Sequence, residues 1–196
     1  MLAVTKTFPI EAVAAARRAG IRAIGENYAQ EAVAKLGAAR RDGTLGVDVH
    51  FIGQLQTNKV RTLVGLVDVI ESVDRPSLVD EVAKRMPHSR VLVQVDTSGL
   101  PGKGGCPLDD VPALVERAAD RGLEVAGLMT VGPTEGGAEA ARPGFRAVRA
   151  LLDRLGLRVC SMGMSADLEV AVAEGATEVR IGSALFGVRS VGGDVG

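Results

Sequence analysis

The sequence predicts an α/β chain folded as one (β/α)8 TIM barrel, and three observations carry that expectation. Eight short, β-branched apolar runs recur along the 196 residues, longer amphipathic stretches rich in Ala and Arg separate them, and out-of-place polar residues gather where the runs end. Short runs that are apolar throughout are what a parallel sheet covered on both faces requires. The pattern continues without a composition break, which favours one barrel over two domains. A doubly wound open sheet is the main alternative.

The first expected strand is Leu2–Thr5, followed by a helix over Pro9–Ala19 with Pro9 in its first turn and Gly20 as its cap. Ala23–Ile24 leads into Ala29–Arg40, Val49–Ile52 into a short helix at Lys59–Leu63, and Val67–Ser72 into Arg75–Arg85. Val91–Asp96 precedes a helix over Leu108–Arg121 closed by Gly122, and Val125–Thr130 precedes one over Ala138–Leu155 closed by Gly156. Arg158–Ser161 leads into Ala166–Glu174, closed by Gly175, and Glu178–Gly182 is the eighth strand. Seven helices then serve eight strands, so the flank between strands eight and one is expected to lie open. The barrel is assigned to residues 1–190, and 191–196 to a frayed, disordered tail.

Composition excludes several classes of function. A net charge of −1 and a pI of about 6.2 leave no electrostatic footprint for nucleic acid or an anionic membrane. Trp is absent and Tyr28 is the only tyrosine, so a platform for stacking bases is missing. No apolar run reaches the roughly 20 residues that span a bilayer. The first residues lack the regions of a signal peptide. Cys106 and Cys160 lie far apart without metal-ligand spacing, which points to a reducing cytoplasm rather than a disulfide scaffold or zinc site.

Barrel enzymes build their sites at the C-terminal ends of the strands. Lys6 ends the first run in a chain with 23 basic residues, of which only five are lysines. A lysine closing a buried strand has its amine freed for Schiff-base chemistry, which arginine cannot do. The alternative is a strand-end lysine that snorkels to solvent. The segment Ser161-Met-Gly-Met-Ser-Ala-Asp167 reads as strand, glycine turn and helix start, with Ser165 as N-cap and Asp167 in the first turn. Amides in such a turn can cradle a phosphate, and Arg180-Ile-Gly182-Ser183 supplies a second turn after the next strand. The loops after strands seven and eight are the recurrent phosphate site of barrels.

Arg180 stands in an apolar strand and must have a partner, either a carboxylate such as Glu26 or an acceptor on a ligand. Asn27, in Gly25-Glu-Asn-Tyr28, reads equally as a helix N-cap or a ligand contact. His50 is expected to be a satisfied core histidine, and Met129, Met162 and Met164 to be packing residues. Lys103-Gly-Gly-Cys106 reads as a plain turn or a lid, with Cys106 a possible exposed thiol that has no histidine to activate it.

Together, Val4-Thr-Lys6, Gly25-Glu-Asn-Tyr-Ala-Gln-Glu31, His50-Phe-Ile-Gly-Gln-Leu-Gln-Thr-Asn-Lys59, Gly127-Leu-Met-Thr130, Ser161-Met-Gly-Met-Ser165 and Arg180-Ile-Gly-Ser-Ala-Leu-Phe-Gly187 resemble the pyridoxal phosphate homeostasis protein family. The likeness is collinear and covers nearly the whole chain. It implies the barrel of the alanine racemase N-terminal type, holding pyridoxal 5′-phosphate (PLP) as a Schiff base on Lys6. It implies that Ser161, Met164, Ser165, Gly182 and Ser183 lie around the phosphate turns, that Arg180 faces the pyridine nitrogen, and that Asn27 lies near the cofactor. Members usually carry a helix before the lysine strand, which this sequence lacks. That accords with the missing eighth helix and implies either a truncated start or cover from another subunit, hence a monomer or a homodimer.

The function implied is PLP homeostasis without established turnover, with possible exchange with amino acids and transfer to PLP apoenzymes. An arginine at the pyridine nitrogen disfavours ring protonation and makes a poor electron sink. Two rival expectations stand beside it. One is a small fold-type III PLP enzyme resembling an amino-acid racemase, which needs a second base such as Tyr28. The other is a barrel enzyme of phosphorylated sugars or indoles that uses Lys6 as a plain acid or base.

Overall fold

In a computed structural model, described for residues 1–98, 104–133 and 135–187, the chain forms a closed barrel of parallel strands. The strands are β1 (Leu2–Val4), β2 (Ala23–Glu26), β3 (Asp48–Phe51), β4 (Val69–Val73), β5 (Arg90–Asp96), β7 (Glu124–Thr130), β8 (Val159–Ser161) and β9 (Arg180–Ile181). A further two-residue strand, β6 (Cys106–Pro107), pairs with the end of β5. The sheet order is β8-β7-β5-β4-β3-β2-β1-β9. The seam between β8 and β9 is joined by a Ser161–Glu178 bridge and by the Arg180 amide donating to the Gly163 carbonyl at 2.9 Å. That closure rules out the open-sheet alternative.

Helices α1 (Ile10–Arg18), α2 (Ala29–Arg41), α3 (Val60–Leu63), α4 (Pro76–Arg85), α5 (Val111–Asp120), α6 (Arg142–Arg154), α7 (Leu168–Ala173) and α8 (Ser183–Phe186) follow the barrel strands. Their apolar stripes meet the outward side chains of the strands. In α6, Phe145, Val148, Leu151 and Leu152 recur on one face and are buried, each worth about 1.5–3 kcal/mol. The predicted caps Gly20, Gly122, Gly156 and Gly175 all take positive φ. None of the described helices is long and apolar enough to cross a membrane.

Several boundaries move for identifiable reasons. Pro112 and Pro143 fall in the first turns of α5 and α6, where a residue without an N–H is tolerated, so short 3-10 turns replace the expected helical starts at Leu108 and Ala138. Pro9 is the N-cap of α1 rather than a helical residue. The expectation of seven helices is corrected by α8, a single turn after β9. Phe186 of this turn packs against the main core, and its ring lies 5.1 Å from that of Phe8, so the flank between β9 and β1 is bridged at its upper end. The expected tail 191–196 and Lys103 lie outside the described residues.

Candidate functional site in the barrel mouth

Alternation along the strands sorts the side chains. Ala3 joins Val13 and Ala16 in the core beneath the helices, so Leu2 and Val4 face the barrel interior and Lys6 follows on the same parity. The same rule turns His50, Glu71, Ser161 and Arg180 inward, above a small apolar layer of Val69, Leu92 and Met129.

These four residues form one buried network. Arg180 is 4% exposed and donates to the Ser161 carbonyl and hydroxyl, both at 2.8 Å, and to the Thr130 carbonyl at 2.7 Å. The Ser161 hydroxyl donates to Glu71 Oε2 at 2.7 Å, and Glu71 Oε1 meets His50 Nδ1 at 2.6 Å. Burial works to raise the Glu71 carboxyl, but the His50 hydrogen bond and the Arg180 charge outweigh it and hold that carboxyl low. Burial likewise works to lower His50, and its bond to Glu71 prevails and raises it. Glu178 lies 3.9 Å from His50 and is pushed up to about 7, first by burial and then by the Glu71 charge. Arg180 therefore does not pair with Glu26. Among the described residues its acceptors are a hydroxyl and backbone carbonyls, and its link to a carboxylate runs through Ser161.

Above this network, Lys6 sits in a turn closed by the Phe8 amide donating to the Thr5 carbonyl at 3.0 Å. Thr7, the next residue, has φ +65°, a conformation uncommon for any β-branched side chain. Val4 pairs with Gly25, so Lys6 and Asn27 leave adjacent strands on the same rim. The N-cap of α2 is Tyr28, not Asn27. Asn27 instead meets the loop after β3, where a Cβ on Gly53 would lie 1.9 Å from the Asn27 carbonyl oxygen. Only glycine permits that approach.

The loops after β8 and β9 come together across the mouth, with the Ser165 and Ser183 hydroxyls 3.5 Å apart. Gly163 takes φ +92°, and a Cβ there would lie 2.4 Å from that of Ala171. The Asp167 carboxylate accepts from the Met164 amide at 2.6 Å. This bond makes Ser165–Asp167 a turn rather than the start of a helix, so Asp167, not Ser165, is the N-cap of α7. Among the described residues the Ser165 and Ala166 amides find no protein acceptor. Ser165, Ser183 and Met164 are exposed, and a Cβ on Gly182 would lie 3.4 Å from the Val4 Cβ.

The chain matches the alanine racemase N-terminal domain over residues 1–190. It is 42% identical over 199 residues to the pyridoxal phosphate homeostasis protein of Pseudomonas aeruginosa, covering 98% of this chain and 85% of that one. This chain belongs to the pyridoxal phosphate homeostasis protein family. The Aquifex aeolicus protein of that name is 41% identical, with 96% of this chain and 86% of its own length matched. Among solved structures, PipY of Synechococcus elongatus with PLP bound superposes at a TM-score of 0.82 and 33% identity, over 95% of this chain and 92% of PipY.

Sequence reasoning missed Glu71, Glu178 and Lys35. Glu71 interrupts the apolar run Val69–Val73, the same kind of signal that singled out Arg180. Lys35 lies within a helix, where nothing local marks it. Two expectations on other residues are also settled. His50 is a hydrogen-bonded core histidine, as expected. Cys106 is buried, with burial pushing its thiol up to about 11, so it is not an exposed thiol.

Proposed function

We propose that this chain binds PLP at the barrel mouth, holds its aldehyde on Lys6 as a Schiff base, and serves PLP homeostasis rather than catalytic turnover. The observation that carries the reading is the placement of a lysine on the rim of a barrel whose opposite loops offer two amides that find no protein acceptor among the described residues. Beside these amides stand the Ser165 and Ser183 hydroxyls, a donor set suited to a phosphate. The PLP-bound relative PipY and the shared family support the same assignment.

When bound, PLP supplies an electrophilic aldehyde and a pyridine ring. Lys6 would hold the aldehyde carbon through its side-chain amine. Ser165, Ser183 and the surrounding amides would hold the phosphate, with Met164 and Gly182 shaping the turns, and Asn27 would lie near the ring on the β2 rim. Arg180, held by Ser161 and Thr130, would face the pyridine nitrogen with its guanidinium. A fixed positive charge there would disfavour protonation of that nitrogen, which would weaken the ring as an electron sink. The only phenol, Tyr28, is 52% exposed at the start of α2, which gives the racemase-like alternative no buried base of that kind. Exchange with amino acids and transfer to an apoenzyme would draw on the same reversible carbonyl chemistry at Lys6, with an incoming amine taking the aldehyde in place of Lys6 and water then releasing it.

The test is an absorbance spectrum of the protein with PLP before and after borohydride, followed by peptide mapping. The expected result is an imine band that reduces onto Lys6 and is lost in Lys6→Ala. A band that persists in Lys6→Ala, or reduction onto Lys35, Lys59, Lys84 or Lys103, would overturn the assignment.

A further inference from the structure

The turn that presents Lys6 is clamped from outside the barrel. The side chain of Lys35, on α2, is 7% exposed. Its ammonium donates to the Thr5 carbonyl at 2.7 Å, the Phe8 carbonyl at 3.0 Å and Glu31 Oε1 at 2.9 Å. Glu26 Oε1 lies 2.8 Å away and also accepts from the Thr5 hydroxyl at 2.6 Å. Glu31 Oε1 in turn accepts from the Thr7 amide at 2.6 Å.

Every residue flanking Lys6 is therefore tied to one cluster. The two carbonyls that Lys35 engages are those on either side of the Lys6-Thr7 pair. The Thr7 amide is held where Thr7 adopts φ +65°. A β-branched residue stays in the left-handed region only where its surroundings over-determine it. A compact ammonium with three donors can satisfy several converging oxygens from one point, which a planar guanidinium cannot. In a chain with 18 arginines, this buried position carries one of the five lysines.

We propose that Lys35 is a positioning residue: through the Thr5 and Phe8 carbonyls it fixes the turn that aims Lys6 into the barrel mouth, and so sets how readily Lys6 captures an aldehyde. The inference rests on the proposed PLP site but concerns a residue that does not touch the cofactor. Misorientation of a reacting amine reaches the rate of bond formation directly, because alignment contributes through entropy lost before the reaction.

The test compares the wild-type chain with Lys35→Met, which keeps the apolar stem and removes the ammonium. Folding is checked by circular dichroism, and amide exchange at Thr7 and Phe8 by mass spectrometry. The rate of the Lys6 imine band on adding PLP is expected to fall by about tenfold or more, with exchange at those two amides accelerated. Lys35→Cys should show the same loss, and alkylation with 2-bromoethylamine, which rebuilds an ammonium of similar reach, should restore the rate. The wild-type protein treated identically controls for Cys106 and Cys160. If Lys35→Met does not fold, Glu31→Ala decides, because it releases the Thr7 amide from a partly exposed position and should slow the imine in the same direction. A wild-type imine with an unchanged rate in the folded variants, or no rescue by alkylation, would overturn this inference alone. No imine on Lys6 in the wild-type protein would overturn the parent reading and this inference with it.

Discussion

Ser161 is the residue on which the interior network turns. Its hydroxyl donates to Glu71 and accepts from Arg180, while its carbonyl accepts from the same guanidinium. Ser161→Ala deletes one acceptor of a buried cation and one donor to a buried carboxylate, and leaves the two carbonyls that hold Arg180. The expected cost is about 1–3 kcal/mol, because buried polar groups that lose a partner keep their desolvation penalty. Urea unfolding should show a lower midpoint with an unchanged slope, since the barrel still closes. A loss near zero would mean that water replaces the hydroxyl at no cost. In the same variant the Glu71 carboxyl loses one of the bonds that hold it down.

Among the elements, the loops at the barrel mouth depend on two glycines for different reasons. Gly53 lets the loop after β3 lie against the Asn27 carbonyl, where a side chain would meet backbone that cannot yield. Gly163 combines φ +92° with contact on Ala171 of α7, so its turn is fixed both by backbone conformation and by the helix behind it. Gly163→Ala should destabilise the fold by about 1–3 kcal/mol. It should also reduce the stabilisation given by PLP more than that given by pyridoxal, which lacks the phosphate. Thermal melts with each ligand check this. Equal losses for both would place the phosphate away from the turn.

For the molecule as a whole, the interior charges link stability to pH. Glu178 is raised from an ordinary carboxylate value to about 7, so the folded chain keeps a proton there that the unfolded chain has already released. That contribution to stability is complete below about 4.5 and is lost as pH rises through about 7. His50 is raised as well, through Glu71, and its contribution disappears over the range above its ordinary value. Glu71, held low, acts only in acid, where its protonation weakens the fold. The melting temperature should therefore fall between pH 5.5 and 8.5. Glu178→Gln should flatten that fall, on the order of 2–3 kcal/mol of pH-dependent stability removed. A parallel pH profile in wild type and Glu178→Gln would show that Glu178 titrates normally.

The eight strands were legible in the sequence because burial on both faces leaves a continuous apolar run, a signal that needs no partner to be read. The helices were legible through their period and their terminal glycines, and Lys6, Arg180 and the two glycine turns through polar residues standing at strand ends. The turn Ser183–Phe186 escaped because four residues are too few to show a period. Local order thus determined the run of elements, their direction and the rim on which the proposed site lies. Only the tertiary structure decided the closure at Ser161–Glu178, the pairing of Ser161 with Glu71 across 90 residues, and the clamp that Lys35 places on the Lys6 turn across 30 and 27. Strand and helix periods arise from the backbone's own geometry and are written locally. A buried charge in a strand can be seen locally, but its partner cannot, because the fold brings that partner from elsewhere in the chain.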